Sequence, residues 1–155
     1  MAVRHMLIAA PPARVWEVLA DGDTYGSWVP GTRRTEEADP AWPAVGASLR
    51  YQVRLGRWSV QGSTVVRRCE SGRRLELEAQ AGRLGSARIA FELLEWGEEC
   101  LVVLDEHPLR GPGARLHNPV LETFTQLRHR TLLRRLSAVV EGRTSPGPRA
   151  PAAQG

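Results

Sequence analysis

The sequence predicts an α+β domain in which a seven-stranded antiparallel sheet curls around a long C-terminal helix, with two short helices between the first and second strands. Three observations carry this. Between Thr32 and His107 the hydrophobic period is two, the signature of half-buried strands. These stretches are separated by short turn signals, Gly56-Arg57, Glu70-Ser71-Gly72, Ala81-Gly82 and Gly97-Glu98, which join consecutive strands into an antiparallel meander. From about Arg115 to Glu141 the period becomes helical. A chain of 155 residues with 42% hydrophobic content suits one domain with a real core.

Val3–Ile8 reads as the first strand. Pro11-Pro12 opens a helix, because proline suits the first turn, where its missing N–H is no loss. Val15, Trp16, Val18 and Leu19 form its apolar face, and Asp21-Gly22 ends it. Asp23–Ser27 forms a second short helical turn. Thr32–Ala38 is polar and reads as an edge strand. After the loop Asp39–Pro43, Leu49, Tyr51, Val53 and Leu55 alternate with Arg50, Gln52 and Arg54. Trp58–Cys69 is a long strand with Gly62 as a bulge position. Leu75, Leu77 and Ala79 mark the next strand. Ala87, Ile89, Phe91 and Leu93 face one way in a strand from Leu84 to Glu95. Glu99–His107 is the last strand, followed by a Gly/Pro loop from Leu109 to Gly113. The domain is expected over residues 1–141, and 142–155, rich in Gly, Pro and Ala, reads as a disordered tail.

The long helix changes its apolar face. Val120, Phe124 and Leu127 centre it in the first half; Leu132, Leu136, Val139 and Val140 centre it in the second. At ~100° per residue the centres differ by roughly a quarter turn, so the helix bends or changes neighbour midway. A hollow under its first half, near Phe124, would produce this.

Composition excludes several chemistries. All 21 basic residues are arginine. Without lysine there is neither a P-loop phosphate lysine nor a Schiff base. The net charge of +4 is carried by arginines spread among 17 acidic residues, with isolated pairs such as Arg33-Arg34, Arg67-Arg68, Arg73-Arg74 and Arg134-Arg135 instead of one stripe, so no nucleic-acid partner is expected. No apolar run approaches the ~18–20 residues of a membrane span, so no stable membrane insertion is expected, and the chain reads as cytoplasmic. Cys69 and Cys100 form no CxxC, His117 and His129 lie on different helix faces, and HExxH, GxSxG and GxGxxG are all missing. No metal or cofactor is therefore expected.

Particular motifs fall in order on these elements: Ala10-Pro11-Pro12-Ala13-Arg14-Val15-Trp16-Glu17-Val18-Leu19-Ala20-Asp21, then Trp28-Val29-Pro30-Gly31-Thr32, then Trp42-Pro43-Ala44-Val45-Gly46-Ala47, then Glu106 with Pro108 and Gly111-Pro112, and finally Arg128, Leu132, Arg135 and Leu136. In this order the chain resembles, from Val3 to Glu141, the helix-grip (START/Bet v 1-like, SRPBCC) superfamily, specifically bacterial polyketide cyclase/dehydrase-like members. The resemblance implies a cavity between the sheet and the long helix. It does not fix the ligand, because one fold serves many sites.

On that fold the alternation sends Leu49, Tyr51, Val53 and Leu55 inward, with Trp58, Val60, Thr64 and Val66 beside them. Trp28 would close the mouth and Phe124 would come from the helix. Glu106 alternates with Cys100, Val102 and Leu104, so it shares their inward face. A carboxyl there either titrates high, which suits acid–base work, or is paired, with Arg128 the partner by position. The candidate binding residues are thus Trp28, Tyr51, Val53, Trp58, Val60, Glu106, Phe124 and Arg128, with Glu106 the candidate catalytic group. Asp105, Glu106 and His107 point to alternate faces and do not form one cluster. Three functions follow: a binder of a small hydrophobic molecule (lipid, isoprenoid or aromatic polyketide-like), a cyclase/dehydrase-type enzyme in which Glu106 or Tyr51 moves a proton, or a protein-interaction module. A homodimer is left open.

Overall fold

Period-two patterning from Thr32 onward becomes a continuous meander, and the first strand closes it at the far edge. The computed structural model describes residues 2–55, 57–80, 85–110 and 119–144. In chain order the elements are β1 (Ala2–Ile8), α1 (Pro12–Leu19), a 3-10 turn (Gly22–Thr24), α2 (Tyr25–Trp28), β2 (Thr32–Ala38), β3 (Ser48–Leu55), β4 (Trp58–Glu70), β5 (Arg74–Gln80), β6 (Ser86–Trp96), β7 (Glu99–Arg110) and α3 (Pro119–Thr144). The seven strands form one sheet in the order β1-β7-β6-β5-β4-β3-β2, every neighbouring pair antiparallel. The polar strand β2 is an edge, as its composition predicts, and its pairing with β3 is interrupted by two register shifts.

The register lines up the buried face in rows. Val66, Leu77, Ile89 and Glu106 lie side by side across β4 to β7, and Leu75, Phe91 and Leu104 form the next row. All are buried. One carboxylate therefore stands in a row of aliphatic side chains, placed there by the two-residue pleat. Proline at the first position of α1 pre-sets its backbone, and Val15, Val18 and Leu19 bury its inner face. The Asp21 carboxylate accepts from the Asp23 N–H at 3.1 Å and caps the 3-10 turn that follows.

Helix α3 presents His129, Leu132, Leu133, Leu136 and Val140, all buried, on one face. It packs against β1, α1 and α2. Near its C-terminal end Glu141 Oε1 accepts from the Ala9 N–H at 3.3 Å, fastening the helix to the β1–α1 connection. No described helix is long and apolar enough to cross a membrane.

On the convex side, Glu76 is only 5% exposed. It receives Arg88 Nη2 at 2.9 Å, with Arg68 Nη1 and Arg74 Nε each at 3.6 Å.

Three sequence expectations need correction. Gly62 is not a bulge: β3 and β4 stay in register through Tyr51 opposite Gly62, and the irregularity falls between Val66 and Arg68 against β5. A Cβ on Gly62 would lie 2.6 Å from Tyr51 Cε2 and 2.8 Å from Val53 Cγ2, so the glycine makes room for the tyrosine ring. Strand β7 continues past His107 to Arg110, through residues read as loop, because Pro108 sits beside the register shift at Ser86/Ala87, where a missing N–H is tolerated. Helix α3 runs through Gly142 to Thr144, since a single glycine weakens a helix by only ~1 kcal/mol without ending it. Residues 115–118 of the expected helix and 145–155 of the expected tail lie outside the described residues, as do the side chains of Val120, Phe124, Leu127 and Trp58.

Candidate functional site

Two polar clusters stand on the otherwise apolar concave side. The first is built by α2, β3 and β4. Thr64 is fully buried, and its Oγ1 lies 3.0 Å from the Tyr25 hydroxyl and 2.5 Å from the Tyr51 hydroxyl. Tyr25 reaches this point because α2 lays it over β3, with its ring 5.0 Å from that of Tyr51 and 5.1 Å from that of Trp28. Trp28 in turn meets Phe91 of β6 edge-on at 5.6 Å, and its Nε1 donates to Thr24 Oγ1 at 3.3 Å. Burial pushes the Tyr25 phenol well above its usual range, and Tyr51 adds to this; the hydrogen bond with Thr64 and the positive charge of Arg128 pull the other way. At neutral pH Tyr25 is a neutral hydroxyl, able to donate or accept.

The second cluster joins β7 to α3. Glu106 is 8% exposed and His129 2%. His129 Nε2 is hydrogen-bonded to Glu106 Oε2, and Arg128 Nη1 lies 3.5 Å from Glu106 Oε1. Burial alone would push the Glu106 carboxyl up; the hydrogen bond from His129 and the charge of Arg128 outweigh it and hold the group below the ordinary carboxylate range. Glu106 is thus an ionised anchor, and the raised titration that would suit a general acid does not occur. The pairing with Arg128 falls where the sequence places it. Arg128 also links the clusters electrostatically, since its charge acts on Tyr25 as well as on Glu106.

Of the sequence candidates, Tyr51, Glu106 and Arg128 belong to these clusters. Val53, partly buried, packs against the core beside Tyr51 on the same face, and Val60 is its cross-strand partner. Trp28 is 1% exposed and wedged between Tyr25 and Phe91, so it is a packed interior residue and not a cover at the mouth. The side chains of Trp58 and Phe124 lie outside the described residues, and with them the expected hollow.

Sequence reasoning missed Tyr25 and His129, and it turned Thr64 inward without assigning it a role in the site. Tyr25 and Thr64 have no sequence signal as a pair, being 39 residues apart. His129 does have one: it sits three, four and seven residues before Leu132, Leu133 and Leu136, on the same buried face. Among the described residues no group of three or more His, Cys, Asp or Glu is placed to hold a metal ion.

A family model described as polyketide cyclase/dehydrase and lipid transport matches residues 2–141. Among solved structures, the Zhui aromatase/cyclase from Streptomyces sp. R1128 superposes with a TM-score of 0.68 at 18% identity, covering 94% of this chain and 97% of that one. A START superfamily protein from Mycobacterium smegmatis gives 0.69 at 16% identity, covering 92% and 98%. The di-domain aromatase/cyclase StfQ from the steffimycin biosynthetic pathway gives 0.70 at 13% identity, covering 92% of this chain and 50% of that one. At these identities the likeness shows the fold. A comparison with curated proteins finds no significant match.

Proposed function

The chain belongs to the polyketide cyclase/dehydrase and lipid transport family, and on that footing we propose that it holds a small, largely apolar molecule between the concave sheet face and α3. The observation that carries this is the buried Tyr25–Thr64–Tyr51 hydroxyl cluster, set in a face otherwise built from side chains such as Leu49, Val66, Leu77 and Phe91. Pockets for apolar ligands use a few placed polar groups to orient what hydrophobic burial binds. In this reading Tyr51, Val53 and Val60, with Trp58 and Phe124, contact the apolar body, and Trp28 backs the wall. Glu106 and Arg128 set the polar end. A lipid, an isoprenoid or an aromatic polyketide-like compound has the matching chemistry.

Solvent extraction of the purified protein followed by mass spectrometry tests it. An apolar compound retained by the native protein and lost from Val53→Trp, which adds bulk on the partly buried face beside Tyr51, is the expected result. Extracts indistinguishable between the two proteins would overturn the reading.

A second reading, cyclase/dehydrase-type catalysis in the same place, draws on one specific observation. His129 supplies the second acid–base group beside Glu106 that such chemistry needs. Two of the structural neighbours are themselves named as aromatase/cyclases. Ring closure or water loss from a short poly-β-ketone, abolished by His129→Gln, would support it; no turnover above the uncatalysed rate would count against it.

A further inference from the structure

His129 holds one nitrogen that no described residue engages. Nε2 is engaged by Glu106, whereas Nδ1 is buried with no hydrogen-bond partner among the described residues. Buried polar atoms are nearly always paired, so an orphan on a residue 2% exposed is an exception that asks for a cause. The tautomer follows from the neighbours. Glu106 is an ionised acceptor, so the proton between the two groups belongs to Nε2. Arg128 already supplies a positive charge to the other Glu106 oxygen, so a second one on the ring would sit beside it. An imidazole that carries its one proton on Nε2 presents Nδ1 as a bare lone pair.

We propose that His129 Nδ1 is the hydrogen-bond acceptor for a hydroxyl of the bound molecule, with Glu106 as the positioning residue that fixes the ring. This rests on the ligand-binding reading above and narrows the ligand to one that pairs an apolar body with a phenolic or enolic O–H. The Tyr25–Thr64–Tyr51 cluster, whose Tyr25 feels the charge of Arg128, then serves a second oxygen of the same molecule. A single ring hydroxyl can donate one proton, and a bare imidazole nitrogen can take one hydrogen bond, so the match is one to one.

The test uses the full chain, β-naphthol, and the methyl ether of β-naphthol, which keeps the ring system and loses the donor. Proton–nitrogen correlation spectra of the imidazoles, with His129 assigned by its disappearance in His129→Gln, are expected to show an unprotonated Nδ1 in the free protein. That signal should move on saturation with β-naphthol and stay in place with the ether. Glutamine keeps a donor for Glu106 and removes Nδ1, so His129→Gln should weaken β-naphthol about fivefold to tenfold and leave the ether unchanged. A protonated Nδ1 in the free wild-type protein, or equal effects of the substitution on both probes, overturns the assignment while leaving the binding site standing. Failure of both probes to bind the wild type, with no apolar compound in the extract, removes the binding reading and this one with it.

Discussion

Replacing Thr64 by valine asks whether the interior hydroxyl cluster is dry. Valine is close to threonine in volume, so the substitution removes the hydroxyl and keeps most of the packing. Thr64 is fully buried and its Oγ1 serves two phenols, at 3.0 Å and 2.5 Å. Two hydrogen bonds are lost, each with a net worth of about 1 kcal/mol, and stranding the Tyr25 and Tyr51 hydroxyls in an apolar setting adds about 1 kcal/mol more. The expected loss is therefore about 3 kcal/mol, or about 6–12 °C in Tm for a chain of this size. Tyr25→Phe and Tyr51→Phe each break one bond and should cost about 1 kcal/mol. Combined with Thr64→Val, each should cost clearly less than the sum, because the shared bond is already gone. Urea unfolding followed by tryptophan emission reads this directly, since Trp28 and Trp42 both contact the Tyr25 ring. A Thr64→Val cost below about 0.5 kcal/mol, with no coupling to either tyrosine, would refute the reasoning: the hydroxyls would then be satisfied by water in an open interior.

Further outcomes follow from the same geometry. Because Glu106 titrates below its unfolded value, its contribution to stability is complete above the ordinary glutamate pKa of about 4.3 and is lost as pH falls through the lower folded value. Glu106→Gln should cost about 1–3 kcal/mol at neutral pH. It should also flatten the acid limb of the stability–pH profile, and an acid limb identical to wild type would disprove the assignment. Gly62→Ala places a Cβ 2.6 Å from Tyr51 Cε2 and should destabilise by about 1–3 kcal/mol, with the penalty shrinking in a Tyr51→Leu background. Burial pushes the Cys100 thiol up to about 11, so native-state alkylation at mildly alkaline pH should label Cys69 first, as peptide mapping will show.

The strand faces were readable because one face of the sheet is buried, so alternation alone puts Leu49 and Tyr51 inside and Glu106 with Cys100, Val102 and Leu104. Arg128 could be matched to Glu106 for the same reason. The glycine of β4 was ambiguous in principle, since a strand glycine marks either a bulge or a close approach, and only the Tyr51 ring decides. Comparing the histidines only as metal pairs says nothing of His129, whereas extending the Leu132–Leu136–Val140 face back one turn buries it. The Tyr25–Thr64 contact depends on how a four-residue helix folds over β3, which no local pattern encodes.

The convex-side cluster around Glu76 changes what the arginine-only composition means. Arg68, Arg74 and Arg88 come from three successive strands and converge on one carboxylate, while Arg67 is taken up by Glu78 at 2.8 Å. The arginines of β4 and β6 reach across to β5 there, and Arg74 of β5 also lies 3.9 Å from Glu92 of β6, so the basic residues rivet neighbouring strands together. Formal charge is consequently a poor guide to the field this surface projects: an approaching polyanion would have to displace carboxylates already seated on the guanidinium groups. The geometry also favours arginine over lysine, because a planar fork can hold a shared carboxylate from the side while its remaining donors stay in water.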